Sequence, residues 1–211
     1  MICMNKLIEN KTKEKILKTA TKLFAQKGYD GTGVREIARN SNVNVALISY
    51  YWGGKKELFQ AIINDIIETQ TKYAKSALDF AINPEDLSKT EQIELMYRTL
   101  DKAIDYFYGD MSNELLTFLM HGQKEKEMFV SLPLFRYGMK IFAALFDKKN
   151  VDKEVILTLA SIITLINSPR LMPNFSLMMM NQRTFHNEDI KIIKKNVHLY
   201  MKALLREHGL F

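Results

Sequence analysis

The sequence has few residues that form disulfides or break helices: its 211 residues include one cysteine and nine dispersed glycines. A single cysteine cannot form an internal disulfide, which excludes the stapled secreted scaffolds and favours a reducing compartment. No apolar run reaches the roughly 20 residues of a membrane span, and the first residues lack the apolar stretch of a signal peptide. We therefore expect a soluble, cytoplasmic protein that makes no membrane contact.

Residues suited to catalysis or metal binding are equally scarce. The four histidines have no ligand partner at helical spacing, the dispersed glycines exclude a phosphate-binding loop, and Cys3 lies close to the chain start, a poor place for a nucleophile. We expect no catalytic residues, no metal and no cofactor. An enzyme stays as an alternative hypothesis, supported only by carboxylates on helix faces, where solvated charges are common.

What the sequence does contain is a net charge of +6 that belongs to one end of the chain. Residues 1–60 carry 11 basic and 5 acidic side chains, whereas the remaining residues carry 19 of each. This asymmetry indicates a basic module, with a polyanion as its partner, joined to a neutral one. A solvated basic surface without a partner explains the charge alone equally well.

Apolar residues recur at helical spacing, and no stretch has the two-residue alternation of a β-strand. In the first part of the chain we predict a helix from Thr12 to Gly28, short helices around 34–40 and 45–51, and a long helix from Lys55 to about residue 81. The fold class is therefore all-α.

The rest of the chain shows the same pattern. Asp152 is the predicted cap of an apolar helix and Pro169 is its predicted end. An irregular linker is predicted after it, marked by Pro169, Pro173 and the methionine run 178–180. Asn187 and the two acidic residues after it predict the start of the last helix. The apolar stripes fall at 93–107, 115–120, 132–146, 155–166 and 190–205.

Residues 37–48 predict two short helices joined by a tight turn. Ala38 is small, as a close helix crossing requires, and Asn42 suits the positive φ of the turn. Asn44 is placed to cap the second helix, so that its next two residues face outward. This is the helix-turn-helix arrangement, whose second helix enters the DNA major groove. Helical hairpins are common, but this one lies inside the basic module.

The segment Ser49-Tyr50-Tyr51-Trp52 combines hydroxyl donors with large aromatic rings just before the next helix. Serine and tyrosine hydroxyls are frequent phosphate ligands, although aromatic residues here are also typical of a core, an assignment we prefer for Trp52. Lys55 and Lys56 then occupy a helix N-terminus, where a cation costs about 0.3–1 kcal/mol. A phosphate bound at that end would reverse the sign of this effect.

Several of these segments occur together within residues 12–59: Leu23-Phe24-Ala25-Gln26-Lys27-Gly28-Tyr29, Thr32-Gly33-Val34-Arg35-Glu36-Ile37-Ala38 and Ile48-Ser49-Tyr50-Tyr51-Trp52-Gly53-Gly54-Lys55-Lys56-Glu57-Leu58-Phe59. In their spacing they resemble the DNA-binding domain of TetR-family transcriptional regulators. The sequence departs from the usual family residues at Gly33 (Ser or Thr), Asn42 (Gly), Asn44 (Ser), Trp52 (Phe) and Lys56 (Glu). The missing hydroxyl at Gly33 removes one expected phosphate contact, which Thr32 is placed to replace.

The resemblance implies a helix-turn-helix DNA-binding domain in residues 1–60 and a helical effector-binding and dimerisation domain in residues 61–211. It implies a homodimer that represses from a pseudo-palindromic double-stranded DNA operator until a small-molecule effector, of unknown identity, releases it. Activation is the open alternative to repression.

The residues expected at the DNA fall into two groups. Those facing base edges are Asn44, Val45, Ala46 and Ser49, and those holding phosphates are Thr32, Tyr50, Tyr51, Lys55 and Lys56. Gly33 and Arg35 match positions close to DNA in the family. The lysines at positions 6, 11 and 13 are expected to steer the approach of the duplex.

Two features of the second domain carry weaker expectations. The apolar stripes at 155–166 and 190–205 are continuous enough for a four-helix dimer seam, although ordinary core helices have such stripes too. Phe118 and His121 are candidate effector contacts, with a core phenylalanine and an exposed or internally bonded histidine as the common alternatives. A non-specific architectural protein that binds DNA or RNA would explain the basic module, but not a neutral helical domain of this size.

Overall fold

The computed structural model describes residues 2–121 and 132–210. In these two ranges the chain forms ten α-helices and no β-strand, which confirms the all-α prediction. A 3₁₀ turn, Pro84–Asp86, precedes the fifth helix. The helices are α1 Ile2–Lys27, α2 Val34–Asn40, α3 Ala46–Trp52, α4 Lys55–Ala77, α5 Lys89–Gly109, α6 Asn113–His121, α7 Pro133–Leu145, α8 Lys153–Leu171, α9 Pro173–Met179 and α10 Asn187–Glu207.

One compact unit contains the chain as far as Thr69 together with the segment that begins at Ser112 and includes α6. In this unit α1 packs against α2 and α6. The buried face of α1 consists of Ile16, Ala20 and Phe24, which recur every four residues because one helical turn takes 3.6 residues. This is the apolar stripe predicted from the sequence.

The second compact unit begins at Gln70 and contains α5 and the helices from α7 to α10. There α5 packs against α7 and α10, while α8 packs against α7, α9 and α10. The predicted stripes supply its core, since Ile104, Ile141, Ile162 and Val197 are fully buried. The functional division predicted at residue 60 stays a prediction, because packing alone does not reveal which residues bind DNA or an effector.

The start of the first helix differs from the prediction. Thr12 does not cap α1 but lies in its interior, and the helix begins at Ile2. Residues 2–11 contain neither proline nor glycine, and Glu9 pairs with Lys13 at 2.8 Å, one turn apart. This pair joins the turns on either side of Thr12, and in this orientation it favours a continuous helix.

The end of the apolar helix α8 was also predicted wrongly. Pro169 lies inside α8, which continues to Leu171, and most of the rest of the expected linker is helical as well, because it forms α9, Pro173–Met179. Proline removes the N–H that would bond the carbonyl of Leu165. The hydroxyl of Ser168 lies 3.4 Å from that carbonyl oxygen and donates to it, which offsets part of the loss. The predicted cap at the other end is confirmed, since the Asp152 carboxylate accepts from the N–H of Val155 at 3.0 Å.

By length and composition α8 is also apolar enough to cross a membrane, which the uninterrupted run 155–166 is too short to predict. Its charged side chains lie near the two ends of the helix. One long side of α8 is buried in the second unit through Val155, Leu159, Ile162 and Ile166. A helix that packs in a protein core meets the same criteria of length and composition.

Candidate nucleic-acid interface

The turn between α2 and α3 depends on Asn42, whose φ of 51° lies in the left-handed region. Asparagine tolerates this conformation better than most non-glycine residues. The N–H of Val43 donates to the carbonyl of Ala38 at 3.0 Å, and Ala38 is buried where the two helices meet. The predicted roles of Ala38 and Asn42 in a helix-turn-helix are thus confirmed.

The first turn of α3 is held by Asn44. Its side-chain oxygen accepts from the N–H of Ala46 at 2.9 Å, and its carbonyl accepts from the N–H of Leu47 at 3.0 Å. These bonds satisfy donors that a helix N-terminus otherwise leaves unpaired. Asn44 thus accepts from the first turn as predicted, and Val45, the residue directly before α3, already has helical backbone and makes no side-chain cap bond.

With this start, α3 has one buried and one exposed face. Ile48 is completely buried, which fixes the rotation of the helix. The predicted base-facing residues Val45, Ala46 and Ser49 are all exposed, and Tyr50 beside them is 79% exposed. A short helix with an exposed apolar and hydroxyl-bearing face has the shape and chemistry needed to enter a major groove.

At the end of α3, the Tyr51 ring makes a cation–π contact with Lys13 of α1. The ammonium of Lys13 lies 4.8 Å from the centre of the Tyr51 ring and 2.8 Å from the Glu9 carboxylate. The hydrogen bond that the Lys13 ammonium donates to Glu9 raises the pKa of Lys13 above its usual value, so Lys13 remains charged at neutral pH. Only a steering role was predicted for Lys13, because a contact between α1 and α3 cannot be identified from neighbouring residues.

The start of α4 combines a cation with an aromatic ring. The ammonium of Lys55 lies 4.3 Å from the centre of the Tyr29 ring, while Lys56 is exposed. Gly53, with a φ of 93°, makes the sharp turn that ends α3. The first turn of α4 also contains Glu57, but the two lysines outnumber it, so this helix N-terminus has a net positive charge suited to an anion.

The structure corrects the prediction for Thr32. This residue is 1% exposed, and its hydroxyl donates to the carbonyl of Gly28 at 2.9 Å or of Leu23 at 3.2 Å. The hydroxyl therefore joins the end of α1 to the start of α2 and does not face a phosphate. Buried threonine hydroxyls need such partners, since an unpaired one is costly.

Gly33 and Arg35 lie at the start of α2. Gly33 is its N-cap, with extended backbone and no side-chain hydrogen bond, and Arg35 is exposed. Arg39, at the other end of α2, is exposed as well and was not predicted. The neighbouring Glu36 is paired with Lys27 at 2.5 Å, so the acidic residue of α2 is neutralised from α1.

Gly33→Ser is expected to stabilise the protein by about 0.5–1 kcal/mol. An added Cβ meets no atom within 4 Å, the backbone suits any residue, and a serine hydroxyl would accept from an N–H of the first turn. The midpoint of urea unfolding should rise at an unchanged slope. Gly33→Ala restricts the unfolded chain without supplying a cap, and an alanine variant as stable as the serine variant would contradict the capping explanation.

The two candidate effector contacts are placed differently. Phe118 is 2% exposed, with its ring centre 5.1 Å from that of Phe59 and 6.4 Å from that of Phe24. It therefore lies in an aromatic cluster of the first unit. His121 ends α6, but its side chain lies outside the described residues. Within the described ranges, no group of three or more His, Cys, Asp or Glu side chains is suitably placed to hold a metal ion.

Comparison with known proteins agrees with the helix-turn-helix formed by α2 and α3. Residues 16–62 match the family described as bacterial regulatory proteins, tetR family. The chain is 32% identical to the "Probable HTH-type transcriptional regulator YttP" of Bacillus subtilis, over 77% of this chain and 76% of that protein. It is 26% identical to the biofilm operon negative transcriptional regulator IcaR of Staphylococcus aureus, over 51% of this chain and 80% of IcaR.

A solved structure shares the fold. The ketosteroid transcriptional regulator KstR2 of Mycobacterium tuberculosis superposes with a TM-score of 0.55 at 14% identity, covering 92% of this chain and 93% of that one. At this identity the likeness concerns the fold alone.

Proposed function

This chain belongs to the TetR family of bacterial regulatory proteins and is a DNA-binding transcriptional regulator rather than an enzyme; we propose that it is a repressor that reads a pseudo-palindromic operator as a homodimer. A small-molecule effector, bound in the second domain, releases it. We place the protein in the cytoplasm, where the operator is. That IcaR is named a negative regulator supports repression over activation.

The observation that carries the proposal is the exposed face of α3. Val45, Ala46 and Ser49 face outward on a helix whose start is fixed by the Asn44 cap and whose rotation is fixed by buried Ile48. An apolar contact from Val45 or Ala46 suits a thymine methyl group, and the Ser49 hydroxyl suits a base-edge donor or acceptor. We assign base reading to these residues and to Asn44.

The phosphate contacts are assigned to the groups around this face. Tyr50 and Tyr51 offer hydroxyls, and Lys55 and Lys56 offer ammonium groups at the N-terminus of α4. Arg35, exposed on α2, and Gly33, at the N-cap of that helix, complete the set. Phosphate contacts position a protein on the duplex without reading its sequence. The excess of six positive charges in residues 1–60 supports this role.

The proposed dimer seam lies on α8 and α10. Opposite its buried side, α8 exposes Leu157, which is 67% exposed, and α10 exposes Ile192 and Leu199, each 57% exposed. The small helix α9, packed on α8, exposes Phe175 to 72%. Large exposed apolar surfaces mark contact sites, and a second copy covering them would explain why α8 is apolar all round.

A two-fold axis through such a seam gives two copies of α3 and therefore an inverted repeat in the DNA. Release requires only that the effector binds better to a dimer whose α3 helices are wrongly spaced for that repeat. A preference of about 1–3 kcal/mol changes operator affinity by about 5–150-fold.

Selection of bound sequences from a random DNA pool tests the function. The proposal expects one inverted repeat with half-sites about one helical turn apart. Recovery of DNA without any sequence preference, in a strongly salt-dependent manner, would instead identify a non-specific architectural protein.

Two single substitutions should separate base reading from phosphate contact. Ser49→Ala is expected to lose about 1–3 kcal/mol of discrimination at one operator position. Lys56→Gln should weaken binding to all DNA sequences alike and reduce the slope of log affinity against log salt concentration by about one. Binding titrations at several salt concentrations measure both effects, with Lys149→Gln, an exposed position of the second unit, as the charge-matched control. Equal loss for every sequence in the Ser49 variant would refute the base-reading assignment.

A further inference from the structure

The second unit contains a cavity of about 430 Å³ between the segment after α4 and the first turns of α7. Its lining combines apolar and cationic side chains. The apolar part includes Phe80, Ile82, Pro84 and Pro133, and the cationic part consists of Arg136 and Lys140. A volume of this size lies in the range of small-molecule sites, roughly 300–1,000 Å³.

Among the described residues that line this cavity, the charged side chains have one sign. Arg136 and Lys140 are one turn apart on α7 and exposed, and none of the other described lining residues is Asp or Glu. Two cations at this spacing repel each other. The positive end of the α7 dipole adds to them, because Pro133 in the lining is the first residue of that helix. An anion in the cavity would neutralise all three.

The opposite wall is held in place by hydrogen bonds. The hydroxyl of Tyr137 donates to the carbonyl of Ile82 at 3.1 Å or of Asp79 at 3.3 Å. Burial raises the pKa of Tyr137, so this hydroxyl keeps its proton at neutral pH. The side-chain amide of Gln92 donates to the carbonyl of Pro84 at 2.9 Å. The cavity is therefore formed before any ligand binds, which lowers the entropic cost of binding.

The Phe80 and Tyr137 rings complete the apolar surface. Their centres lie 4.7 Å apart with the ring planes inclined by 59°. A flat or aliphatic group would be able to pack on Phe80 and the two prolines while its charged end reaches α7.

We propose that this cavity binds a small organic acid, with its carboxylate at Arg136 and Lys140 and its aromatic or aliphatic body against Phe80, Pro84 and Pro133. The claim that such an acid is the effector rests on the proposed function. The claim that the cavity binds an organic acid does not, because it depends only on the shape and charge of the second unit.

Calorimetric titration of the full-length protein with 4-phenylbutyrate tests the site. We expect saturable binding, about millimolar or tighter for a probe of this size, and binding at least about tenfold weaker for its neutral analogue 4-phenylbutyramide. The double variant Arg136→Gln/Lys140→Gln should weaken 4-phenylbutyrate by at least about tenfold. Lys149→Gln, which removes an exposed charge away from the cavity, should leave the affinity unchanged.

Absence of saturable binding of 4-phenylbutyrate up to about 10 mM, ten times the expected dissociation constant, would overturn the proposal. Equal affinity for acid and amide, or an unchanged affinity in the double variant, would overturn it too. Inorganic phosphate binding as tightly as 4-phenylbutyrate would replace the organic acid by a simple anion. Helical circular dichroism and the unfolding temperature check that the variants fold.

Operator binding measured without any probe separates this proposal from the proposed function. The double variant should bind the selected inverted repeat as the unchanged protein does. Binding of 4-phenylbutyrate without any DNA sequence preference would support the site and refute the repressor function. Selective operator binding without 4-phenylbutyrate binding would support the repressor function and refute the site.

Discussion

Replacing Leu157 and Leu199 together with glutamate is expected to produce a monomer of 24.5 kDa that binds the full operator about 10²–10⁴-fold more weakly. Two linked half-site contacts exceed the affinity of one by about this factor. Leu157 is 67% and Leu199 57% exposed on α8 and α10, so the substitutions remove little packing within one chain. In the proposed dimer, they would bury four carboxylates without partners, which is strongly unfavourable.

Light scattering after size exclusion measures the mass, and titration with one half-site and with the full inverted repeat measures the affinity. The monomer should bind a single half-site almost as the unchanged protein does, because α3 is untouched. Thr90→Glu/Asn150→Glu adds the same charge at two other exposed positions of the second unit and should leave the dimer intact. A double leucine variant that remains dimeric would place the seam elsewhere.

The second large effect concerns stability. Phe118→Ala is expected to lower the free energy of unfolding of the first unit by about 3–5 kcal/mol. The Phe118 ring is 2% exposed and lies within 5.1 Å of the Phe59 ring, centre to centre. Removing it leaves a cavity between rings that also include Phe24, and such a site cannot close easily because three helices frame it.

The only tryptophan of the chain, Trp52, lies in the first unit and reports its unfolding by fluorescence in urea. Phe118→Leu keeps most of the volume and should cost less than half as much. This experiment also bears on the sequence prediction that Phe118 contacts an effector. A ring serving mainly as a ligand contact would change ligand affinity with little change in stability, contrary to what we expect.

Local features of the helix-turn-helix could be predicted because each depends on a few neighbouring residues. Asn42 adopts positive φ because the short turn demands it, and Asn44 caps α3 because its side chain reaches an N–H two residues away. The failures at Thr12 and Pro169 have the same local origin. Each residue has the chemistry of a helix boundary, but an ion pair across Thr12 and a serine hydroxyl beside Pro169 favour continuation.

The partners of several side chains could not be predicted in this way. The carbonyls that bond the Thr32 hydroxyl and the ring beneath the Lys55 ammonium are fixed by how helices cross. Phe118 illustrates the same difficulty, since a phenylalanine on a helical stripe is equally consistent with a ligand contact and with a core.

The sequence by itself determined the all-α class, the positive charge of the first 60 residues and the helix-turn-helix, because helical periodicity, net charge and turn geometry are properties of neighbouring residues. Only the tertiary structure decided which of the candidate residues are exposed on α3. It also decided that the Thr32 hydroxyl bonds to carbonyls at the end of α1. Finally, it placed Arg136 and Lys140 at a cavity beside residues more than 50 positions earlier in the chain. Such contacts arise from packing between distant segments, where many arrangements satisfy the same apolar pattern and only the folded chain selects one.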